Sequence, residues 1–89
     1  MHPLLQEIIE ILDIEKVEDN LYRGFHPKAK TGRLYGGQIM AQALVAAGRT
    51  VSEDRHPHSL HGYFMRSGDA KIPVIFSVDR IRDGRSFTT

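Results

Sequence analysis

The sequence contains no cysteine and no tryptophan. The absence of cysteine excludes disulfide bonds, thiolate metal ligands and a cysteine nucleophile, and it fits a reducing compartment. The longest uncharged stretch, 34–48, contains three glycines and two glutamines, and it is shorter than the roughly 18 to 20 apolar residues that a membrane span needs. A signal peptide is also not indicated, because Glu7 and Glu10 interrupt the first apolar region. We therefore expect a cytoplasmic protein without a membrane span.

The charges are almost balanced, with 12 Lys and Arg against 11 Asp and Glu and a formal net charge of +1. A general nucleic-acid footprint would need a clear excess of basic residues, so we expect no nucleic-acid partner. The 89 residues include 40% hydrophobic and 26% charged residues, which is typical of a folded globular domain and not of a disordered chain. The length allows one domain at most.

Hydrophobic periodicity predicts a helix over 3–14, with Pro3 suited to the first turn. A charged connector is expected at 15–20, a strand at 21–25 and a basic loop at 26–34. The run that follows Gly37 is apolar or small on nearly every side of a helix, so we expect this helix to be surrounded by protein. Gly48 and Arg49 are expected to end it, with the glycine in the left-handed cap conformation.

The second half of the sequence favours strands. We predict a strand at 58–65, a turn at 66–71, a strand at 73–81 and a hairpin turn at Asp83-Gly84. This order predicts an α+β fold with one long helix against an antiparallel sheet. Three short strands give too little sheet to cover such a helix, so we expect residues 1–89 to be a partial domain whose sheet continues past Thr89 or is completed by another copy.

Four motifs occur together in this order: Tyr35-Gly36-Gly37-Gln38, then 58–64 (HSLHGYF), then 66–69 (RSGD), then 82–87 (RDGRSF). This set resembles the amino-terminal part of the acyl-CoA thioesterase II family. The resemblance implies a double hotdog fold, in which a long helix is wrapped by an antiparallel sheet and the arrangement occurs twice in one chain. It also implies hydrolysis of fatty acyl-CoA to fatty acid and CoA. The alternative to the predicted cytoplasmic location is, in a eukaryote, the peroxisome.

The same resemblance implies that the residues activating water, an Asp, a Thr or Ser and a Gln, lie mainly in a second hotdog repeat after Thr89. Residues 1–89 are then a partial amino-terminal hotdog domain that we expect to be inactive alone. We expect it to pair with a second repeat or to form a homo-oligomer, because an incomplete sheet leaves unpaired backbone groups. The alternative is a non-catalytic hotdog module for acyl binding or assembly.

The best candidate substrate-binding residues are Gly36, Gly37 and Gln38 at the start of the second helix. Backbone N–H groups at a helix N-terminus can hold a thioester carbonyl as it becomes an oxyanion. The alternative is that the two glycines only allow a tight entry to a buried helix.

His58 is the candidate catalytic residue, as a general base toward water or as a group that orients a carbonyl. The alternative is a histidine bonded within the core or at a subunit contact. His58 and His61 are expected on opposite faces of one strand and so not to form a metal pair. We predict no metal or cofactor site, and we expect His2, His26 and His56 to be exposed.

Arg82 and Arg85 are candidates for binding the phosphates of coenzyme A, because guanidinium groups match phosphate oxygens. Plain solvated charge is the alternative. Tyr63 is a candidate residue of an acyl tunnel, and the alternative for it is ordinary core packing. Other residues of this predicted tunnel are Met40, Leu44, Phe64 and Met65.

Overall fold

The structure, a computed structural model, describes residues 2–26, 35–66, 68–69 and 71–89. In chain order the elements are helix α1 (Pro3–Leu12), strand β1 (Glu15–Glu18), strand β2 (Leu21–Gly24), helix α2 (Gly36–Gly48) and strand β3 (Val74–Ser77). The predicted α+β class is confirmed. The predicted loop at 26–34 lies outside the described residues except for His26. Neither helix in the described ranges has the length and apolarity required to cross a bilayer.

Helix α1 forms as the periodicity predicts, except that it ends at Leu12 and not at residue 14. His2 caps it, because its Nδ1 accepts a hydrogen bond from the Leu4 N–H at 3.1 Å, and Pro3 occupies the first helical position. The helix ends where the Asp13 N–H donates to the Ile9 carbonyl. Four of its aliphatic side chains remain 44 to 64% exposed, namely Leu4, Leu5, Ile8 and Ile9, whereas Ile11 and Leu12 are partly buried.

The sheet has the order β1-β2-β3 and both pairs are antiparallel. The predicted connector at 15–20 is wrong, because 15–18 form strand β1 and the chain turns through Asn20, whose φ is +61°. Asparagine tolerates this left-handed conformation better than most residues. Glu15 lies opposite Arg23 and accepts hydrogen bonds of 2.7–3.1 Å from its guanidinium. Local composition misled the prediction, since cross-strand charge pairing makes this polar segment a strand.

The predicted strand at 73–81 is confirmed in its first half only, as β3 pairs with β2 from Leu21 opposite Ser77 to Gly24 opposite Val74. The predicted strand at 58–65 is wrong, since the structure has no strand there. Alternating apolar residues make a strand only when a neighbouring strand supplies backbone partners. None of the described strands pairs with this segment.

The predicted hairpin at Asp83-Gly84 is confirmed. Asp83 pairs with Thr88, and the Gly84 N–H donates to the Phe87 carbonyl at 2.8 Å. The guanidinium of Arg55 donates to the carbonyls of Gly84 and Arg85 at 2.8 and 2.7 Å. Arg55 therefore holds this hairpin against the segment that follows α2.

Helix α2 packs against β2 and α1. Its buried residues are Gln42 and Ala46, and Ala46 joins Ile14 and Tyr22 in the hydrophobic core. The expectation that α2 is buried on all sides is wrong for the described residues, because only Gln42 and Ala46 are buried, residues 38–41 and 43–45 are partly buried, and Gly37, Ala47 and Gly48 are exposed. The predicted left-handed cap at Gly48 is also wrong, since no described glycine has a positive φ and Gly48 ends the helix.

Gln42 is fully buried, and its amide nitrogen donates to the Ile11 carbonyl near the end of α1 at 2.9 Å. Arg49, just after α2, donates to the Ile14 carbonyl at 2.7 Å and to the Asp13 carboxylate at 2.8 Å. These contacts fix α2 to the segment between α1 and β1. On the side of Gln42 that faces away from α1 lies Gly24. A Cβ added to Gly24 would be 2.9 Å from the Gln42 Oε1.

The close approach of Gly24 and Gln42 predicts that Gly24→Ala destabilises the protein by about 1–3 kcal/mol, the usual cost of overpacking. The buried Gln42 cannot move aside without breaking its bond to Ile11. Urea denaturation measures the difference. The matched control is Gly48→Ala, where no atom lies within 4 Å of the added Cβ, and it should stabilise the helix by about 0.5–1 kcal/mol. Equal effects of the two variants would contradict this packing account.

Candidate functional site

The candidate site is the start of α2, which we call the α2 entrance and define by Tyr35, Gly36, Gly37 and Gln38. Tyr35 is extended and caps the helix with its backbone only. The N–H groups of Gln38 and Ile39 donate to the Tyr35 carbonyl at 3.1 and 3.3 Å. The amides of Gly36 and Gly37 precede these bonds, so helix geometry directs them outward at the positive end of the dipole. This arrangement suits an oxygen that gains negative charge.

Two aromatic rings lie beside the entrance. A Cβ on Gly36 would come within 3.1 Å of the Phe64 ring, and a Cβ on Gly37 would come within 2.5 Å of the Tyr35 ring. A side chain at either position would have to displace the neighbouring ring, because the rings approach the backbone closely. Phe64 and Tyr35 are 64% and 77% exposed, so each ring also offers an open apolar surface beside the two amides.

His26 contacts the entrance, and the prediction that it is exposed is wrong. It is only 8% exposed, and its Nδ1 lies in contact with the side-chain amide of Gln38. Burial lowers the pKa of the His26 imidazole below its ordinary value. The signal that could have found it is the strand period of two, since Tyr22, Gly24 and His26 alternate with more exposed residues. Its Nε2 has no hydrogen-bond partner among the described residues.

His58 lies elsewhere, against the hairpin. It is exposed, and its ring centroid is 6.3 Å from that of Phe87. Because 58–65 is not a strand, the argument that His58 and His61 face opposite sides of a sheet does not apply. In the described residues no group of three or more His, Asp or Glu side chains is placed to hold a metal ion.

Arg82 joins His58 at the hairpin, with its guanidinium carbon 6.0 Å from the Phe87 ring centre. Arg85 is exposed, and its carbonyl accepts from Arg55. Tyr63 is 91% exposed. The structure therefore divides the predicted residues into the α2 entrance and a hairpin group that contains His58 and Arg82. The roles predicted for all of them remain predictions.

Segment 62–64 runs beside α2. A Cβ on Gly62 would lie 2.7 Å from the Met40 sulfur, and the Phe64 ring touches Gly36. This segment has no regular secondary structure, and it covers part of the helix. A long helix that enters through paired glycines and lies against an antiparallel sheet defines the class of the fold, which is hotdog-type.

The comparisons with known proteins identify the family. The family model "Acyl-CoA thioesterase N-terminal domain" matches residues 25–89, and the chain belongs to this family. The chain is 55% identical over 82 residues to acyl-coenzyme A thioesterase 8 of Mus musculus, covering 91% of this chain and 26% of that protein. It is 40% identical over 88 residues to acyl-CoA thioesterase 2 of Haemophilus influenzae, covering 99% of this chain and 31% of the relative.

Solved structures agree with this fold. A tesB protein of Mycobacterium avium subspecies paratuberculosis matches with a TM-score of 0.87 and 40% identity, over 94% of this chain and 34% of that one. The acyl-CoA thioesterase II TesB2 of Mycobacterium marinum matches with a TM-score of 0.81 and 50% identity, over 92% and 29%. The predicted family and hotdog fold are confirmed. The chain spans about a quarter to a third of the length of the relatives it matches.

Because the pKa of His26 is lowered in the folded protein, we predict that the free energy of unfolding decreases as the pH is lowered. Between the folded pKa and the ordinary value of about 6.5, the unfolded chain binds more protons than the folded one, so stability is lost as pH falls through this window. His26→Asn should remove this part of the dependence. The measurement is urea denaturation at about pH 7.5 and about pH 5, on either side of the ordinary histidine pKa. The exposed His56 serves as control, and His56→Asn should keep the wild-type slope; a slope unchanged by His26→Asn would contradict the prediction.

Proposed function

We propose that this chain is the amino-terminal hotdog part of an enzyme that hydrolyses fatty acyl-CoA to free fatty acid and CoA. The observation that carries the proposal is that residues 25–89 belong to the thioesterase N-terminal domain family and contain an α2 entrance suited to a thioester carbonyl. The thioesterase names of the relatives refer to the whole proteins, and this chain corresponds to only part of each of them.

In this proposal the carbonyl oxygen of the thioester accepts hydrogen bonds from the Gly36 and Gly37 amides. Attack of water on the carbonyl carbon puts negative charge on this oxygen, and the two amides stabilise it without reorganising. Collapse of the intermediate breaks the carbon–sulfur bond, releasing CoA thiolate and the fatty acid. The groups that activate water belong to the second repeat, so this chain supplies carbonyl binding.

We assign the rest of the substrate to exposed rings and to residues of the separate hairpin group. The exposed rings of Phe64 and Tyr63 are the proposed contacts of the acyl chain, because an apolar chain gains from leaving water at such surfaces. Arg82 and Arg85, on the hairpin, are the proposed contacts of the CoA phosphates. His58 neighbours Phe87 of this hairpin, so we propose a role in orienting substrate there.

A second candidate function is a non-catalytic module for acyl binding or assembly. It is favoured by the sheet, since β3 is an outer strand among the described strands and its Ile75 is 55% exposed. An outer strand and an exposed apolar side chain favour pairing with another sheet.

The experiment that separates the two functions measures CoA release from a medium-chain and a long-chain acyl-CoA. The chain is compared with a form extended through a second repeat. Activity in the extended form alone supports the proposed division of labour. Activity in the 89-residue chain would place the water-activating groups within it. No activity in either form, with acyl-CoA still bound, would favour the binding module.

For the phosphate contact, we predict that Arg82→Ala in the active protein raises KM for acyl-CoA about tenfold, with a smaller effect on kcat, since a charge-assisted hydrogen bond contributes about 1.5–3 kcal/mol. The matched control is Lys16→Ala, which removes a cation held on β1 by Asp19 at 3.1 Å. It should leave both constants unchanged. An unchanged KM in the Arg82 variant would remove Arg82 from the substrate site.

For assembly, we propose that the sheet is completed by a second repeat or by another copy of this chain. Light scattering at micromolar concentration should then report a dimer or larger species for the chain alone. A stable monomer would contradict pairing between copies.

We propose the cytoplasm as the location of the protein, with the peroxisome as the alternative. A relative at 31% identity is named a peroxisomal acyl-coenzyme A thioester hydrolase in Saccharomyces cerevisiae.

A further inference from the structure

The segment 62–64 lies along α2 without belonging to the sheet. No backbone hydrogen bond joins it to another of the described residues. Gly62 lies beside Met40, where an added Cβ would be 2.7 Å from the sulfur and 3.2 Å from the terminal methyl carbon. The ring of Phe64 lies beside Gly36, where an added Cβ would be 3.1 Å from the ring carbon Cζ. Packing against α2 therefore holds this segment in place.

The two contacts have matching spacings. Gly36 and Met40 are four residues apart, so they lie on one face of α2 and about 6 Å apart along its axis. Two residues of an extended chain span about 6.6 Å, which matches this distance. The segment therefore runs antiparallel to α2, with Gly62 and Phe64 against the helix. Tyr63, which lies between them, is 91% exposed.

The contact with Met40 is what restricts position 62 to a small residue. None of the described glycines has a positive φ, so the backbone at Gly62 does not by itself require glycine. Met40 is partly buried in α2, and a side chain at position 62 would have to displace either its sulfur or the segment. Because Phe64 is only two residues further on, a displaced segment would carry its ring away from Gly36.

We propose that Gly62 and Met40 are positioning residues for the α2 entrance, which hold the Phe64 ring against the first carbons of the acyl chain of a bound fatty acyl-CoA. The inference rests on the proposed function, because it requires that the Gly36 amide binds the thioester carbonyl. The Phe64 ring lies beside Gly36, so the part of the substrate that it meets is the part next to the carbonyl. Gly62 and Met40 act through Phe64.

This position of the Phe64 ring has a consequence for specificity. Every fatty acyl-CoA has these first carbons, whatever the length of its chain. Loss of the Phe64 contact therefore weakens the binding of a medium-chain and of a long-chain substrate by the same factor. A residue deeper in an acyl tunnel would affect the long chain more, because the gain in binding grows with the apolar area removed from water.

The first experiment measures KM and kcat for a medium-chain and a long-chain acyl-CoA in the form extended through a second repeat. Gly62→Val should raise KM about tenfold for both substrates, with a smaller effect on kcat, because an apolar contact to bound substrate is lost. Gly48→Val is the matched control, since no atom lies within 4 Å of a Cβ added there, and it should leave both constants unchanged. An unchanged KM in the Gly62 variant, or a KM increase that is larger for the long chain, would overturn the inference.

A compensating change tests whether the effect passes through Met40. Met40→Ala removes as many heavy atoms as Gly62→Val adds, so the double variant keeps the volume at the contact nearly constant. It should return KM to within about threefold of wild type. A double variant with the full KM increase of Gly62→Val would overturn the inference. If Gly62→Val does not fold, Gly62→Ala replaces it in each experiment, since its Cβ would lie 2.7 Å from the Met40 sulfur.

The second experiment follows the backbone amide signal of Gly36 by proton–nitrogen-15 NMR in the same extended form. Phe64→Leu gives the shift that results from removing the ring. Gly62→Val should move the Gly36 signal in the same direction, and the additional change Met40→Ala should return it. A Gly36 signal that responds to Phe64→Leu but not to Gly62→Val would overturn the inference. The expected shifts in a protein that neither binds nor hydrolyses acyl-CoA would instead contradict the proposed function.

Discussion

The position of α2 depends on the buried amide of Gln42. This side chain reaches the Ile11 carbonyl on one side and touches Gly24 on the other, so it sets the spacing between α1, α2 and β2. The Gln42 Oε1 has no hydrogen-bond partner among the described residues. The bond from its amide nitrogen to Ile11 is therefore important, because a buried amide without any hydrogen bond would lower the stability of the fold. The contacts of Gln42 therefore also determine the positions of Gly36 and Gly37 at the start of α2, and of the pair formed by His26 and Gln38.

Local patterns predicted the elements whose structure is decided locally. Helix α1 follows from apolar spacing with a proline at its first position, and the hairpin at Asp83 follows from turn chemistry. Strand β1 could not be predicted in the same way, because its residues are polar and its strand character comes from pairing with β2. The prediction of a strand at 58–65 failed for the opposite reason. The composition of this segment favours a strand, but a strand forms only where another backbone pairs with it.

The site shows the same division between local and long-range information. The position of Gly36 and Gly37 at the start of α2 could be predicted from sequence because a glycine pair before a helix is a local signal. His26 was missed because its contact with Gln38 joins residues 12 positions apart, and because a histidine near a basic loop was interpreted as exposed. Extending the two-residue period of β2 by one step would have placed it on the buried face. The separation of His58 from the α2 entrance could not be predicted, since it depends on the path of a segment without regular structure.

The contact of Arg55 with the carbonyls of Gly84 and Arg85 also has a topological consequence. One guanidinium joins residues 29 positions apart in the sequence, and the hairpin that it holds is anchored independently of the chain in between. Lengthening that chain between 66 and 72 would enlarge a loop whose ends are already joined, and each doubling of a flexible loop costs only about 0.6 kcal/mol. Insertions in this stretch would therefore change the surface of the intervening chain while the hairpin keeps its place.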